Sequence, residues 1–146
     1  MVFCGLNRVE VFDLLFASAR LGAVFCPLFS AFGPEPARSR MEIAGTRVLV
    51  TTERIYRRKI AGIREHLPKL EHIVLVGGGE DGHDFETLIG DASDGFTTAE
   101  TRADDLATLH FTSGTTGKPK GAMHVHEAVV THNATARFAL DLHPDD

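Results

Sequence analysis

Cysteine is scarce in this 146-residue chain: Cys4 and Cys26 are the only two, each inside an apolar run. They read as buried, reduced thiols of a cytosolic protein. With no Cys-x-x-Cys spacing, two thiols cannot build a four-ligand zinc site unless histidines join them. Long hydrophobic runs are missing too. The longest, "LGAVFCPLFSAFG", is too short to span a bilayer and has a proline in its middle. The opening "MVFCGL" has neither a basic region nor a cleavage site, so it does not read as a signal peptide. Positive charge is not in excess. Fifteen Lys and Arg against twenty Asp and Glu leave a net charge of −5, which argues against nucleic acid or an anionic membrane as a general partner. The one basic cluster, "RIYRRKIAGIR", sets Arg54, Arg57, Arg58 and Lys59 at helical spacing and reads as a solvated face. There is no internal repeat and no low-complexity tract.

What is present suits a single globular domain: 43% hydrophobic and 24% charged residues. "MVFC", "AVFCPL", "RVLVTT" and "HIVLVG" are uninterrupted apolar runs of strand length. Between them lie helical patterns. "RVEVFDLLFASARLG" carries a stripe of Val11, Leu14, Leu15 and Ala19 closed by Gly22. "PEPARSRMEIAG" has Pro34 and Pro36 near its start and Gly45 past its end. "ERIYRRKIAGIREHL" reads as another amphipathic helix. Such alternation predicts an α/β layer structure with a largely parallel sheet and flanking helices. The glycine- and acid-rich stretch 77–105 breaks the rhythm and reads as a surface segment with one short helix, Phe85–Ile89. "LATLHFT" and "GAMHV" resume as strands, and "HEAVVTHNATARFAL" as a helix. Because a core strand is read from the first residue, the chain is expected to be a piece of something longer.

Two glycine-rich segments are candidate phosphate loops. "GGGEDG" follows a strand, and Gly77, Gly79 and Gly82 fit the dinucleotide fingerprint. A diphosphate, however, needs a long helix pointing its N-terminus at it, and here Glu80, Asp81 and Asp84 bring negative charge instead. A solvent loop is the better reading. The other segment is "TSGTTGKPKG". Gly114 and Gly117 let main-chain N–H groups come close to a ligand. Thr112, Ser113, Thr115 and Thr116 add hydroxyl donors, Lys118 and Lys120 add charge, and Pro119 stiffens the exit. These are the components of an oxyanion cradle, although the spacing is not Walker A. Composition alone leaves open a surface hairpin that happens to be rich in Gly and Thr.

The ordered string "FTSGTTGKPKGAMHVH" closely resembles the phosphate-loop signature of the adenylate-forming superfamily: acyl-CoA synthetases, luciferases and peptide-synthetase adenylation domains. "ARLGAVFCPLFSAFGPEPARSRM", "TRVLVTTERIYRRK" and "HVHEAVVTHNATARFALDLHPDD" extend the resemblance over nearly the whole chain, and the wording is most similar to acetyl-coenzyme A synthetases, the AMP-forming acetate–CoA ligases. The segment 77–105 is the least family-like. The resemblance implies a two-step reaction, in which a carboxylate attacks Mg·ATP to give an acyl-adenylate and pyrophosphate, and coenzyme A then displaces AMP. It assigns Thr112, Ser113, Gly114, Thr115, Thr116, Gly117 and Lys120 to the β- and γ-phosphates, with Lys118 facing solvent and Gly121 easing the return into the strand. None of these is a nucleophile or a base. The implied partners are small molecules: ATP with Mg2+, a short-chain carboxylate and coenzyme A.

Of the histidines, His124 is expected to pack or be solvated and His126 to open the last helix; a His-x-His metal site is the weaker reading. His110 lies where it would line a nucleotide cleft. The family's ribose-binding aspartate, its magnesium- and adenine-binding motif, its hinge and its C-terminal catalytic lysine do not occur in this sequence. Residues 1–146 are therefore expected to be part of the large N-terminal domain, without the C-terminal domain, and to be inactive alone. Two alternatives stand beside an acyl-CoA ligase: a non-catalytic nucleotide- or pyrophosphate-binding module, and a different adenylate-former.

Overall fold

The computed structural model describes residues 2–4, 8–112 and 119–143, the first three by their backbone. Seven strands form one sheet: β1 (Val2–Cys4), β2 (Phe25–Pro27), β3 (Val48–Thr51), β4 (His72–Leu75), β5 (His83–Asp84), β6 (Leu106–Thr112) and β7 (Lys120–Val125). Their order is β5-β4-β3-β1-β2-β6-β7. Every pairing is parallel except the last, in which β7 runs antiparallel to β6. The expected α/β architecture with a largely parallel sheet is thus the one found.

Strands β2, β3 and β4 contribute to packed clusters on both faces of the sheet, which is why they read as unbroken apolar runs. On one face Val11, Leu14 and Leu15 of α1 (Glu10–Arg20) pack over Phe25, Val50, Val74 and Val76. The stripe foreseen in the sequence is the stripe that faces the sheet. The opposite side of α1 is also apolar, and Phe12 and Phe16 remain 61% and 66% exposed. On the other face α2 (Pro34–Ala44) sends Ala37 and Met41 against Leu49, Leu75 and Leu109. Burying one such side chain contributes roughly 1.5–3 kcal/mol. Cys26 is fully buried and unpaired, and desolvation pushes its thiol up to about 12. It is an inert core residue.

The ends of α2 follow from sequence. Pro34 supplies a preset φ in the first turn, and Gly45 takes φ 58°, ψ 46°, the left-handed stop that favours glycine. The amide of Gly45 then caps the carbonyl of Glu42, and that of Thr46 the carbonyl of Met41, both at 3.0 Å.

The segment expected as one amphipathic helix from Glu53 is instead irregular. A single turn, α3 (Glu53–Ile55), widens into a π segment over Tyr56–Ile60 and tightens to 3-10 geometry over Ala61–His66. Tyr56, Ile60 and Leu67 still reach the core, so the periodicity was legible while the local winding was not. Polar anchors hold the segment in place: Lys59 Nζ donates to the Ser30 carbonyl, and Arg57 is ion-paired to Glu53 at 2.8 Å and Asp81 at 2.7 Å. The basic cluster is thereby partly neutralised by its own chain.

The same contacts account for the glycine loop. Residues 76–82 join adjacent parallel strands β4 and β5 with no helix, through positive φ at Gly77, Gly78 and Gly79. The Glu80 amide donates to Glu53 Oε1 at 2.9 Å. That loop amide is thus satisfied by a carboxylate of the protein itself. The short helix that follows, α4 (Phe85–Gly90), is capped by Asp84, which accepts from the Thr87 amide at 2.8 Å. A final helix, α5 (Ala128–Ala139), follows β7.

Glycine substitutions separate these effects. Gly45→Ala is expected to lower unfolding free energy by about 1 kcal/mol, since it places a Cβ at positive φ. Gly62→Ala, where nothing lies within 4 Å of an added Cβ and φ is not positive, is expected to leave stability unchanged or raise it by up to about 1 kcal/mol. Urea midpoints of the two variants check this, and equal losses would contradict it.

Candidate phosphate-binding site

The switch from parallel to antiparallel pairing fixes the site. In the β6–β7 ladder Thr112 lies opposite Lys120, Phe111 opposite Gly121, His110 opposite Ala122 and Leu109 opposite Met123. Thr112 Oγ1 also donates to the Lys120 carbonyl at 3.4 Å, a long hydrogen bond. Thr112 is the last residue of β6, so this closing pair stands at the carboxyl end of a parallel strand. In open α/β sheets that edge is where ligands bind.

Of the seven expected phosphate contacts, Thr112 and Lys120 are brought together, and both are exposed. Lys120 makes no ion pair among the described residues, so its ammonium is available to an anion. Ser113, Gly114, Thr115, Thr116 and Gly117 lie outside the described residues, as does Lys118. Gly121 has a different role from the one expected. It is in the ladder rather than in a turn, and a Cβ there would meet Leu109 Cδ1 at 2.8 Å. Its missing side chain makes room for Leu109, which is only 7% exposed.

Behind the pair, the histidines come from three elements. The His110 and His124 ring centroids are 5.6 Å apart in a T-shaped contact, and those of His124 and His132, on α5, are 6.1 Å apart. They line a cleft of about 370 Å³ with Phe12, Phe25 and Val129. His124 packs, as expected. Among the described residues no group of three or more His, Cys, Asp or Glu is arranged to hold a metal. His126 leads into the helix, which starts at Ala128, and its carbonyl accepts the Val129 amide at 3.3 Å. It lies in the preceding turn, where its amide donates to the Asp105 carbonyl at 3.0 Å.

On the other face a cleft of about 350 Å³ lies at the same edge, lined by Pro27, Leu28, Phe29, Ser30, Phe32, Arg40, His110 and Phe111. Arg40 escaped the sequence reading because one arginine in a helix rich in polar residues carries no signal. No helix among the described residues is long and apolar enough to cross a membrane.

Comparison with known proteins gives the family. The family described as AMP-binding enzyme matches over residues 1–146. The chain belongs to that family. It is 34% identical over 145 residues to an acetyl-coenzyme A synthetase of Bacillus subtilis (strain 168), covering 94% of this chain and 24% of that protein. The anthranilate CoA ligase AuaEII, solved in complex with anthranoyl-AMP, superposes with a TM-score of 0.81 at 28% identity, over 93% of this chain and 25% of that one. ATP-bound MatB from Rhodopseudomonas palustris gives 0.77 at 29% identity, over 93% and 26%. The chain thus spans about a quarter of the length of the AMP-binding enzymes it matches.

His110 supplies a pH prediction for this family member. Burial, and then the nearby His124, lower its pKa from the ordinary 6.5. The unfolded imidazole therefore takes up its proton at a higher pH than the folded one, and stability contributed here falls as pH drops through 6.5 toward the folded value. NMR titration of the His110 ring is expected to show a midpoint below 6.5, and His110→Gln to flatten stability against pH in that window. A midpoint at or above 6.5 would contradict the assignment.

Proposed function

We propose that this chain is the phosphate-gripping part of an AMP-forming acyl-CoA ligase, with acetate or another short-chain acid as substrate. The single observation that carries this is the pairing of Thr112 with Lys120 at the carboxyl edge of the sheet, at the two ends of a Gly- and hydroxyl-rich loop sequence. Membership of the AMP-binding family supports it, as do similar proteins solved with ATP and with an acyl-adenylate.

In the first step a carboxylate oxygen attacks the α-phosphorus of ATP and the bond to the bridging β-phosphate oxygen breaks, releasing pyrophosphate. Charge accumulates on that leaving group. Donors preset around the β- and γ-phosphates therefore stabilise the transition state more than bound ATP. Lys120 supplies positive charge, Thr112 a hydroxyl, and Ser113 to Gly117 the remaining hydroxyl and amide donors. In the second step the thiol of coenzyme A attacks the acyl carbon and AMP leaves, a stage at which pyrophosphate has already gone. Magnesium, when bound with ATP, neutralises phosphate charge. The described acidic residues do not form a cluster for it, and none is given that role.

Two experiments test the reading. In the full-length ligase carrying this sequence, Lys120→Ala and Thr115→Ala are each expected to slow acyl-adenylate formation by about 100-fold or more. Transfer of preformed acyl-adenylate to coenzyme A should change little. Equal losses in both half-reactions would contradict the role. The isolated 146 residues are expected to show no acetate-dependent ATP–pyrophosphate exchange above background, because residues for the ribose and acyl groups are not among them. Clear exchange by the purified chain would overturn that part.

A further inference from the structure

Arg40 is the one lysine or arginine buried among the described residues, at 9% exposure. It makes no ion pair with any described carboxylate. Its Nη1 donates to the Pro36 carbonyl at 2.9 Å, one turn back in α2, and its Nε is buried with no acceptor. What meets the guanidinium is aromatic. Its Cζ lies 4.2 Å from the centroid of Phe32 and 5.9 Å from that of Phe111, both within the distance of about 6 Å at which a ring face holds a cation. An apolar side chain would fill this place without burying a charge, so packing alone does not account for an arginine here.

The two rings tie distant parts of the chain to this one side chain. Phe32 belongs to the segment between β2 and α2, and Phe111 is the penultimate residue of β6. Both pack on the core cluster that includes Met41 and Leu109. Phe111 stands opposite Gly121 in the ladder, and a Cβ on Gly121 would lie 3.6 Å from Phe111 Cε1. The ring therefore rests beside the bare backbone of β7, one residue from the Thr112–Lys120 pair on each strand.

We infer that Arg40 is a positioning residue for the departure of pyrophosphate. Through Phe111 its guanidinium fixes the end of the β6–β7 ladder, and with it Thr112 and Lys120, while touching no substrate itself. A guanidinium suits this task because its flat face stacks on rings, which the compact ammonium of lysine does less well. The Pro36 carbonyl sets where that face lies. The inference rests on the ligase reading. Preset donors act only as well as they are placed, and a displacement of about 1 Å can slow a reaction about 100-fold. The effect belongs to the first step, because pyrophosphate has gone before coenzyme A attacks.

The test measures both half-reactions of the full-length ligase with acetate, propionate or butyrate: acid-dependent ATP–pyrophosphate exchange, and transfer of the preformed acyl-adenylate to coenzyme A. Arg40→Met is expected to lower kcat for exchange about tenfold or more, with KM for ATP and the transfer rate within about twofold of wild type. Arg40→Lys should fall between. In a Phe111→Leu background, Arg40→Met should lower exchange by no more than about threefold further, because the ring that carries the effect is already gone. Should Arg40→Met fail to fold, Arg40→Lys takes its place, and its smaller loss must likewise vanish beside Phe111→Leu. Unchanged exchange, equal loss in both half-reactions, or a full loss retained in the Phe111→Leu background overturns the inference. Lys120→Ala, run in parallel, separates the two readings. A first-step loss in Lys120→Ala without one in Arg40→Met removes only the positioning role. No exchange by the wild type with any of the three acids, or no first-step loss in Lys120→Ala, removes the ligase reading and this inference with it.

Discussion

The antiparallel addition of β7 to β6 is the constraint on which the rest of this structure depends. A parallel neighbour would require the chain to cross back to the opposite edge of the sheet before pairing. An antiparallel neighbour returns at once, so the chain between Thr112 and Lys120 starts and finishes at the carboxyl edge. The five parallel pairings bring the carboxyl ends of β1 to β6 to that same edge. Pairing geometry thus places Thr112 and Lys120 where an open sheet can receive a ligand.

Local chemistry then distinguishes the two glycine-rich segments. In the 76–82 loop, Glu53 accepts an amide and Arg57 gathers Glu53 and Asp81, so the polar groups answer one another. At the β6–β7 closing pair, Lys120 has no described carboxylate beside it, and the Thr112 hydroxyl donates to a backbone carbonyl. A loop whose charges are already paired is structural, whereas an exposed cation at a strand end is free to serve a ligand. The same comparison brings out Arg40, a cation with aromatic neighbours and no anion.

Much of this was legible in the sequence, for identifiable reasons. The α1 stripe of Val11, Leu14 and Leu15 and the stop at Gly45 follow from periodicity and from the backbone freedom of glycine, both local properties. The strands were legible because sheets covered on both faces need continuous apolar runs. The irregular winding after Glu53 was not, since Tyr56, Ile60 and Leu67 satisfy a helical period whichever turn type connects them. The two-residue strand β5 was missed because His83 and Asp84 carry no apolar pattern; they pair with β4 through the backbone, with the His83 ring centroid 6.1 Å from that of His72. At the candidate site Thr112 and Lys120 stand out locally in the sequence, while Arg40 and the histidine contacts depend on elements far apart in the chain. Gly121 was singled out, yet its function is to accommodate Leu109 from the facing strand, which no local reading supplies.

The exposed Phe12 and Phe16 on α1, and Val129, Val130 and Phe138 on α5, are apolar surface of the kind that further polypeptide covers in larger proteins. Whatever covers them, the central claim concerns the opposite end of the chemistry: what the chain between Thr112 and Lys120 holds. A crystal structure of the full-length protein with a non-hydrolysable ATP analogue tests it most directly. The account predicts the β- and γ-phosphates within hydrogen-bonding reach of residues 112–117 and of the Lys120 ammonium. Phosphates bound elsewhere, with those residues facing solvent, would contradict it.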